Sequence, residues 1–377
     1  MKNFRLYEAT ATMVGSIIGA GILGIPYVVS QAGFLVGFIN LVVLGVIVFV
    51  LYLYLGEIIL RTPGKHQLTG YAERYLGVWG KRLMLVSMIF GIYGALIAYL
   101  LGVGQAVSAL VGGNALFYSL IFFAIVATII YLGIDAVGES ELIMAFLILV
   151  VVMIISGLTF SHINISNLVS YDLSKIFLPY GVILFAYMGL VAIPEAHEIL
   201  FHHKSQLKNA IMLGTIIPFI VYLLFTFVTV GAISPEFFSP TEPATTAMNV
   251  VLGKTAFVFA NLFAIVAMST SFIGIGFGLK EMFMYDYYLS KRLSWGLICF
   301  IPLFIALSGV TNFIQAIALS GAFAGGLESA LVVLMISKAK KLGIREPEYS
   351  IPYHPIISIL FLAVFIAGAG YVIWGMF

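Results

Sequence analysis

The sequence predicts an all-α integral membrane protein of eleven transmembrane helices, with the first and sixth broken, and three observations lead there. Of the 377 residues, 62% are hydrophobic and only 9% charged, against about 25% charged in a soluble domain. Apolar runs approaching the roughly 20 residues needed to cross a bilayer recur along nearly the whole chain. A hexapeptide carrying both Gly and Pro occurs twice, in the middle of two of those runs.

Taken in order, the runs begin near Tyr7, Gly33, Arg82, Leu116, Leu142, Ser174, Ala210, Thr255, Leu293, Asn312 and His354, each bounded by charged or polar breaks. The first is read as a retained span, because Gly and Pro interrupt it and no convincing cleavage site follows. With the N-terminus inside, every one of the 18 Lys and Arg residues except Lys175 and Lys254 falls on the cytoplasmic side. That asymmetry is what the positive-inside rule demands, and a miscounted span would destroy it. The expected location is the cell membrane, with a cytoplasmic N-terminus and an extracellular C-terminus at Trp374 and Phe377.

Two connections are longer than tight loops. Residues 66–78 (HQLTGYAERYLGV) put Leu68, Tyr71, Tyr75 and Leu76 on one face and Glu73 and Arg74 on another, as a short interfacial helix would. Residues 233–253 carry three Xaa-Pro steps and then a helical-looking 244–252, placed to lie over an external vestibule. The single Cys299 rules out an intramolecular disulfide and a cysteine metal cluster. No separate soluble domain and no basic run of the kind that binds nucleic acid is present.

The hexapeptide Gly21-Ile-Leu-Gly-Ile-Pro26 in span one recurs as Gly189-Leu-Val-Ala-Ile-Pro194 in span six. An offset of five spans is odd, so the second copy enters the membrane from the opposite side, as in an inverted-topology repeat. Inside a helix Gly costs about 1 kcal/mol and Pro about 3 relative to Ala. Gly15, Gly19, Gly21 and Gly24 alone would equally suit close helix packing. The matched copy with its proline favours unwinding of both helices. Unwound backbone in a bilayer is tolerated only where protein, ligand or ion satisfies it, so the breaks mark a binding site.

Four segments, residues 15–26 (GSIIGAGILGIP), 93–105 (YGALIAYLLGVGQ), 185–198 (FAYMGLVAIPEAHE) and 267–278 (AMSTSFIGIGFG), carry a family likeness. Through them the chain resembles the amino acid, polyamine and organocation transporter superfamily. Within it, the similarity is greatest to the aromatic amino acid permeases and the amino acid/auxin permeases. The resemblance implies a five-plus-five inverted-repeat, LeuT-like fold and secondary transport of amino acids by alternating access. The first repeat would occupy residues 1–160 and the second 161–337, leaving 338–377 as a cytoplasmic loop and span eleven.

An amino acid brings a carboxylate and an ammonium group. N–H groups freed at Gly19, Ala20, Gly21 and Ile22 suit the carboxylate, at the positive end of a half-helix. Carbonyls of Phe185, Ala186 and Tyr187 suit the ammonium. The resemblance places family substrate contacts at these positions and at Gly189. Tyr99 and Phe185 offer large apolar bodies to close the site, with ordinary packing as the alternative reading of each.

Ala267, Thr270 and Ser271 share one helical face. In sodium-coupled members of this fold the matching positions join two span-one carbonyls, here Gly15 and Ile18, in an all-oxygen ion site. Both hydroxyls can instead bond back to their own helix. A proton is the other candidate coupling ion, with Glu328 in span ten as its carrier, because an ionisable group inside a span is a functional candidate by default. Glu57 with Arg61 and Glu8 with Arg5 read as interfacial pairs, and Glu195, His197, Glu198, His202 and His203 as a solvated inner face.

The expected function is cation-coupled (sodium or proton) symport of neutral or aromatic amino acids into the cell. The expected partners are a small-molecule amino acid and the lipid bilayer, with no cofactor and no obligate protein partner. A membrane amino acid sensor, or an exchanger without ion coupling, is the alternative. No nucleophile–base pair or metal-ligand spacing points to an intramembrane enzyme, and paired broken helices favour alternating access over a continuous pore.

Overall fold

A computed structural model describes residues 2–133, 140–251, 253–285 and 287–375. Leu252 and the last two residues, within segments expected above to be helical and extracellular, lie outside them. The chain folds into α1 (Lys2–Ile17), α2 (Gly21–Ala32), α3 (Phe34–Arg61), α4 (Leu68–Val111), α5 (Ala115–Leu132), α6 (Ser140–Phe160) and α7 (Ile165–Leu168). These are followed by α8 (Tyr180–Tyr187), α9 (Ala192–Ile199), α10 (Leu207–Ala232), α11 (Ala244–Ala247) and α12 (Lys254–Tyr285). The last are α13 (Lys291–Leu307), α14 (Phe313–Ser320), a π-helical turn (Gly321–Gly325), α15 (Gly326–Leu342) and α16 (Pro355–Trp374).

An apolar chain in a bilayer must satisfy its peptide groups internally, so helix is the default and each interruption has a local cause. The α2 to α3 corner turns at Gly33 (φ 85°), where a side chain would run into the Tyr171 backbone. Asn114 caps α5 by accepting from the Leu116 and Phe117 N–H groups. Asn312 and Gln315 form a capping box at the start of α14. Both devices occupy N–H groups that a helix start leaves unpaired.

Among the described residues, eight helical units are long and apolar enough to cross a membrane, or nine if α1 and α2 form one bent span. That tally counts α8 with α9 and α14 with α15 as single spans. The expected total of eleven is reached if α6 and α13 also cross. Large apolar side chains such as Phe146, Ile125, Phe304 and Trp374 stand exposed on the outside of the bundle, as lipid-facing groups do.

The long α4 is the spine of one half of the molecule, packed against α5, α12, α13, α14 and α15. Its first residues bend away at Gly77 (φ 74°), which sets 68–76 apart as the short amphipathic helix expected there. Leu68, Tyr71 and Tyr75 are buried while Glu73 and Arg74 are exposed. The apolar face docks on the protein itself, where the Tyr75 and Thr62 hydroxyls meet at 2.8 Å. In the other half, α1 packs against α10 and α9, and α3 against α10 and α15. The segment from 233 folds back over α2 and α12 through α11, and its Pro240 carbonyl accepts from the Ile314 N–H at 3.1 Å. It thus covers α2, the second half-helix of span one. Helix α16 lies against α15, α14 and α8.

Glu57, expected above in a simple interfacial pair with Arg61, is fully buried and more highly connected. Its carboxylate accepts from Arg61 at 2.9 Å, Lys340 at 2.8 Å, Ser350 at 2.9 Å and the Ile351 N–H at 2.8 Å. It therefore ties the end of α3 to α15 and to the segment that follows.

Candidate functional site

The two expected breaks are present. In span one, α1 stops at Ile17 and α2 restarts at Gly21, with the two axes bent by 52°. Ile18 still donates to Val14 (2.8 Å), but Gly19 turns back onto Ile17 (3.0 Å). The N–H groups of Gly21 and Ile22 then open α2, where no intrahelical acceptor exists for them. In span six, α8 stops at Tyr187 and α9 restarts at Ala192. Pro194 falls in the first turn of α9, where its missing N–H costs nothing, so this proline starts a half-helix. Pro26 lies inside α2, and the break precedes the span-one hexapeptide whereas it falls within the span-six copy.

The breaks meet. A Cβ built on Gly21 would stand 2.5 Å from the Ala186 Cα, and one on Gly189 would stand 2.4 Å from the Ile17 side chain. Only glycine permits such close approach, to backbone at Gly21 and to a side chain at Gly189. A Cβ on Gly19 would have the Tyr99 hydroxyl at 3.7 Å and the Ser271 hydroxyl at 3.8 Å. Gly19, Tyr99 of α4 and Ser271 of α12 therefore converge on one point beside the break, with the Tyr99 and Ser271 hydroxyls facing each other. Tyr99 is 6% exposed, and Phe185 is buried on α8 beside the π-helical turn, close to Gly321. Ala20 and Ile22 are buried in the same junction.

The carbonyls considered for an ammonium group are already engaged. Phe185 O accepts from the Met188 N–H at 3.0 Å. Ala186 O accepts from the Tyr222 hydroxyl at 2.8 Å, and Tyr187 O from the Tyr52 hydroxyl. Sequence reasoning missed Tyr52 and Tyr222, since a tyrosine in mid-span carries no pattern that separates it from packing. Each carbonyl keeps a second lone pair, so a ligand amine can still be received.

The oxygen set Gly15, Ile18, Ala267, Thr270 and Ser271 is only partly gathered. Thr270 is exposed, and its hydroxyl bonds back to the Val266 and Ala267 carbonyls, both at 3.1 Å. The main neighbours of α12 are α4, α13, α5 and α6, while those of α1 are α10, α9 and α6. Ile18 lies in the break itself, and of the α12 members Ser271 stands beside it, near Gly19. Glu328 stands elsewhere, at the start of α15 just after the π-helical turn, and is 5% exposed. Among the described residues its carboxylate forms no hydrogen bond or ion pair.

At the α9 end of span six, Glu195, Glu198 and His202 are exposed as expected, but His197 is buried. Glu198 pairs with Lys65 at 3.0 Å. Among the described residues no group of three or more His, Cys, Asp or Glu side chains stands where it could hold a metal ion.

Comparisons with known proteins agree with this architecture. The chain is 25% identical to tyrosine-specific transport system 1 of Haemophilus influenzae, over 97% of this chain and 96% of the relative. It is 25% identical to the low affinity tryptophan permease of Proteus vulgaris, over 81% and 80% of the two chains. It is 21% identical to glutamine transporter 2 of Aliivibrio fischeri, over 91% and 92%. Among solved structures, that of MhsT in complex with L-phenylalanine superposes with a TM-score of 0.65 at 15% identity, covering 99% of this chain and 98% of that one. At that identity the match speaks for the fold, which is the LeuT-like arrangement that the family resemblance implies. The sequence profile of the tryptophan/tyrosine permease family matches residues 2–372, and the chain belongs to that family.

Proposed function

We propose that the chain imports neutral or aromatic amino acids by alternating access, coupled to the inward movement of a cation, across the cell membrane. As a member of a permease family it is a transporter and not an enzyme, and its multi-pass apolar helices place it in a membrane. The observation that carries the reading is the meeting of two broken helices at Gly21 and Ala186. The junction offers N–H groups for a carboxylate at Ala20 to Ile22, beside a Gly19 N–H that is turned back onto Ile17 O, carbonyls for an amine at Phe185 to Tyr187, and Gly189 to let the chains approach. The rings of Tyr99 and Phe185 supply apolar walls that suit an aromatic or other neutral side chain. The relatives named for tyrosine and tryptophan support the same class.

Sodium and proton remain the two candidate ions, and one observation, at Glu328, favours the proton. The Thr270 hydroxyl donates to its own helix, which leaves its oxygen able to accept a cation and does not decide between the two. Glu328 is a buried carboxylate without a partner among the described residues, and such groups inside a membrane serve proton relays. The N-terminus would be cytoplasmic and the C-terminus extracellular, by the lysine and arginine distribution. Uptake of labelled aromatic amino acids into proteoliposomes tests the proposal: none under an inward proton or sodium gradient would overturn it. Binding without uptake would instead support a sensor, and counterflow indifferent to both ions an exchanger.

A further inference from the structure

The carbonyls at the C-terminal ends of the first half-helices of spans one and six are held by tyrosines from the two neighbouring spans, and the pairing is crossed. Tyr52 on α3 donates to Tyr187 O, at the end of α8 in span six. Tyr222 on α10 stands 2.7 Å from Ile17 O, at the end of α1 in span one. The same hydroxyl is 2.8 Å from Ala186 O in span six. All the groups involved are buried. In the inverted repeat α3 and α10 are spans two and seven, so span two serves the break of span six while span seven serves the break of span one.

A helix end leaves carbonyls that must find donors, and no water is at hand in an apolar core. The two phenols are those donors. A phenol carries one proton, so Tyr222 shares a single hydrogen between Ile17 and Ala186 and links the two breaks to each other. The Tyr187 ring lies against Tyr222 at 5.3 Å, and its own hydroxyl donates to Leu41 O at 3.2 Å. That fixes the last turn of α8 from a third direction. Gly189 completes the fit, since a Cβ there would stand 3.0 Å from the Tyr52 hydroxyl.

We propose that Tyr52 and Tyr222 are positioning residues that hold the unwound ends of spans one and six in the geometry that receives the substrate. They act through the backbone. Their effect on the break geometry is independent of what is carried, while their effect on substrate rests on the amino acid transport proposed above.

The test compares Tyr52→Phe, Tyr222→Phe and, as a matched reference, Tyr180→Phe. Tyr180 is also a buried phenol bonded to a carbonyl, Phe365 O at 3.4 Å, but away from both breaks. Each variant keeps its ring and hence most of its packing. Amide hydrogen exchange of the purified full-length protein is followed over residues 14–24 and 184–194. Tyr52→Phe is expected to speed exchange in 184–194 alone, and Tyr222→Phe in both segments, each by about tenfold, the worth of one hydrogen bond. Tyr180→Phe is expected to change neither. In proteoliposomes the first two variants should raise KM for the transported amino acid about tenfold with the maximal rate changed less than about twofold. Unchanged exchange at both breaks, or equal acceleration in Tyr180→Phe, would overturn the proposal. Faster exchange with unchanged KM would overturn its link to the substrate. Failure of the unaltered protein to transport any amino acid would sink the transport reading, with the exchange pattern still deciding the positioning role.

Discussion

Gly21 of α2 and Ala186 of α8 touch backbone to backbone, so that a methyl group added to Gly21 would lie 2.5 Å from the Ala186 Cα and 2.7 Å from its Cβ. Two half-helices far apart in the chain can meet this closely only because one of them carries no side chain there. The remaining properties of the site depend on that contact.

Gly21→Ala is therefore expected to push α2 from α8 and to destabilise the protein by about 1–3 kcal/mol, the usual range for overpacking. Transport should fall with it. Gly157→Ala, on α6, is the comparison, because a Cβ there meets nothing within 4 Å. Thermal unfolding midpoints of the two variants in detergent check the difference. Equal midpoints would mean that the breaks do not meet as described.

Tyr99→Phe keeps the ring beside Gly19 and removes the hydroxyl that faces Ser271. Substrate affinity is expected to drop by about threefold to tenfold, the equivalent of one modest hydrogen bond. Tyr99→Ala also removes the apolar wall and should weaken binding by more than about a hundredfold, as loss of a buried aromatic does. Equilibrium binding of labelled aromatic amino acids measures both.

Glu328→Gln preserves shape and removes the ionisable group. If the proton is the coupling ion, gradient-driven accumulation should fall by more than about tenfold while equilibrium binding changes little, since an intramembrane carboxyl of this kind serves coupling. A sodium-dependent thermal stabilisation that disappears in Thr270→Ala would assign coupling to sodium instead. Ligand-induced stabilisation grows with concentration over dissociation constant, so titrating sodium against potassium reads it directly.

Glu57→Gln leaves Lys340 and Arg61 facing each other without their shared carboxylate. Removing one partner from a buried ion pair costs about 3–5 kcal/mol. The two cations keep partial solvent access here, with side-chain exposures of 20% and 17%, so a value near about 3 kcal/mol is expected. Denaturant titration of the purified protein gives it, and a change under about 1 kcal/mol would show that the network is not a structural tie.

Much of this architecture was legible in the chain. Apolar runs and the lysine and arginine asymmetry place the spans, and the echo of residues 21–26 at 189–194 finds both breaks. Chemistry that joins distant residues was less legible. Glu57 looked like half of a local pair because Arg61 is one turn away, while Lys340 and Ser350 lie hundreds of residues on. Tyr52 and Tyr222 were indistinguishable from packing aromatics, since nothing in their neighbours announces which carbonyls they meet. Thr270 and Ser271 share a face by spacing, yet rotation of each hydroxyl decides its partner. Thr270 turns to its own helix and Ser271 to Tyr99.

The most direct test of the account is uptake of labelled tyrosine, tryptophan and phenylalanine by proteoliposomes that contain only this protein, with a proton or a sodium gradient imposed in turn. The account predicts concentrative uptake driven by an inward cation gradient, stronger for the proton and abolished when the gradient is collapsed. Absence of uptake under either gradient, from protein that is folded and correctly inserted, would contradict it.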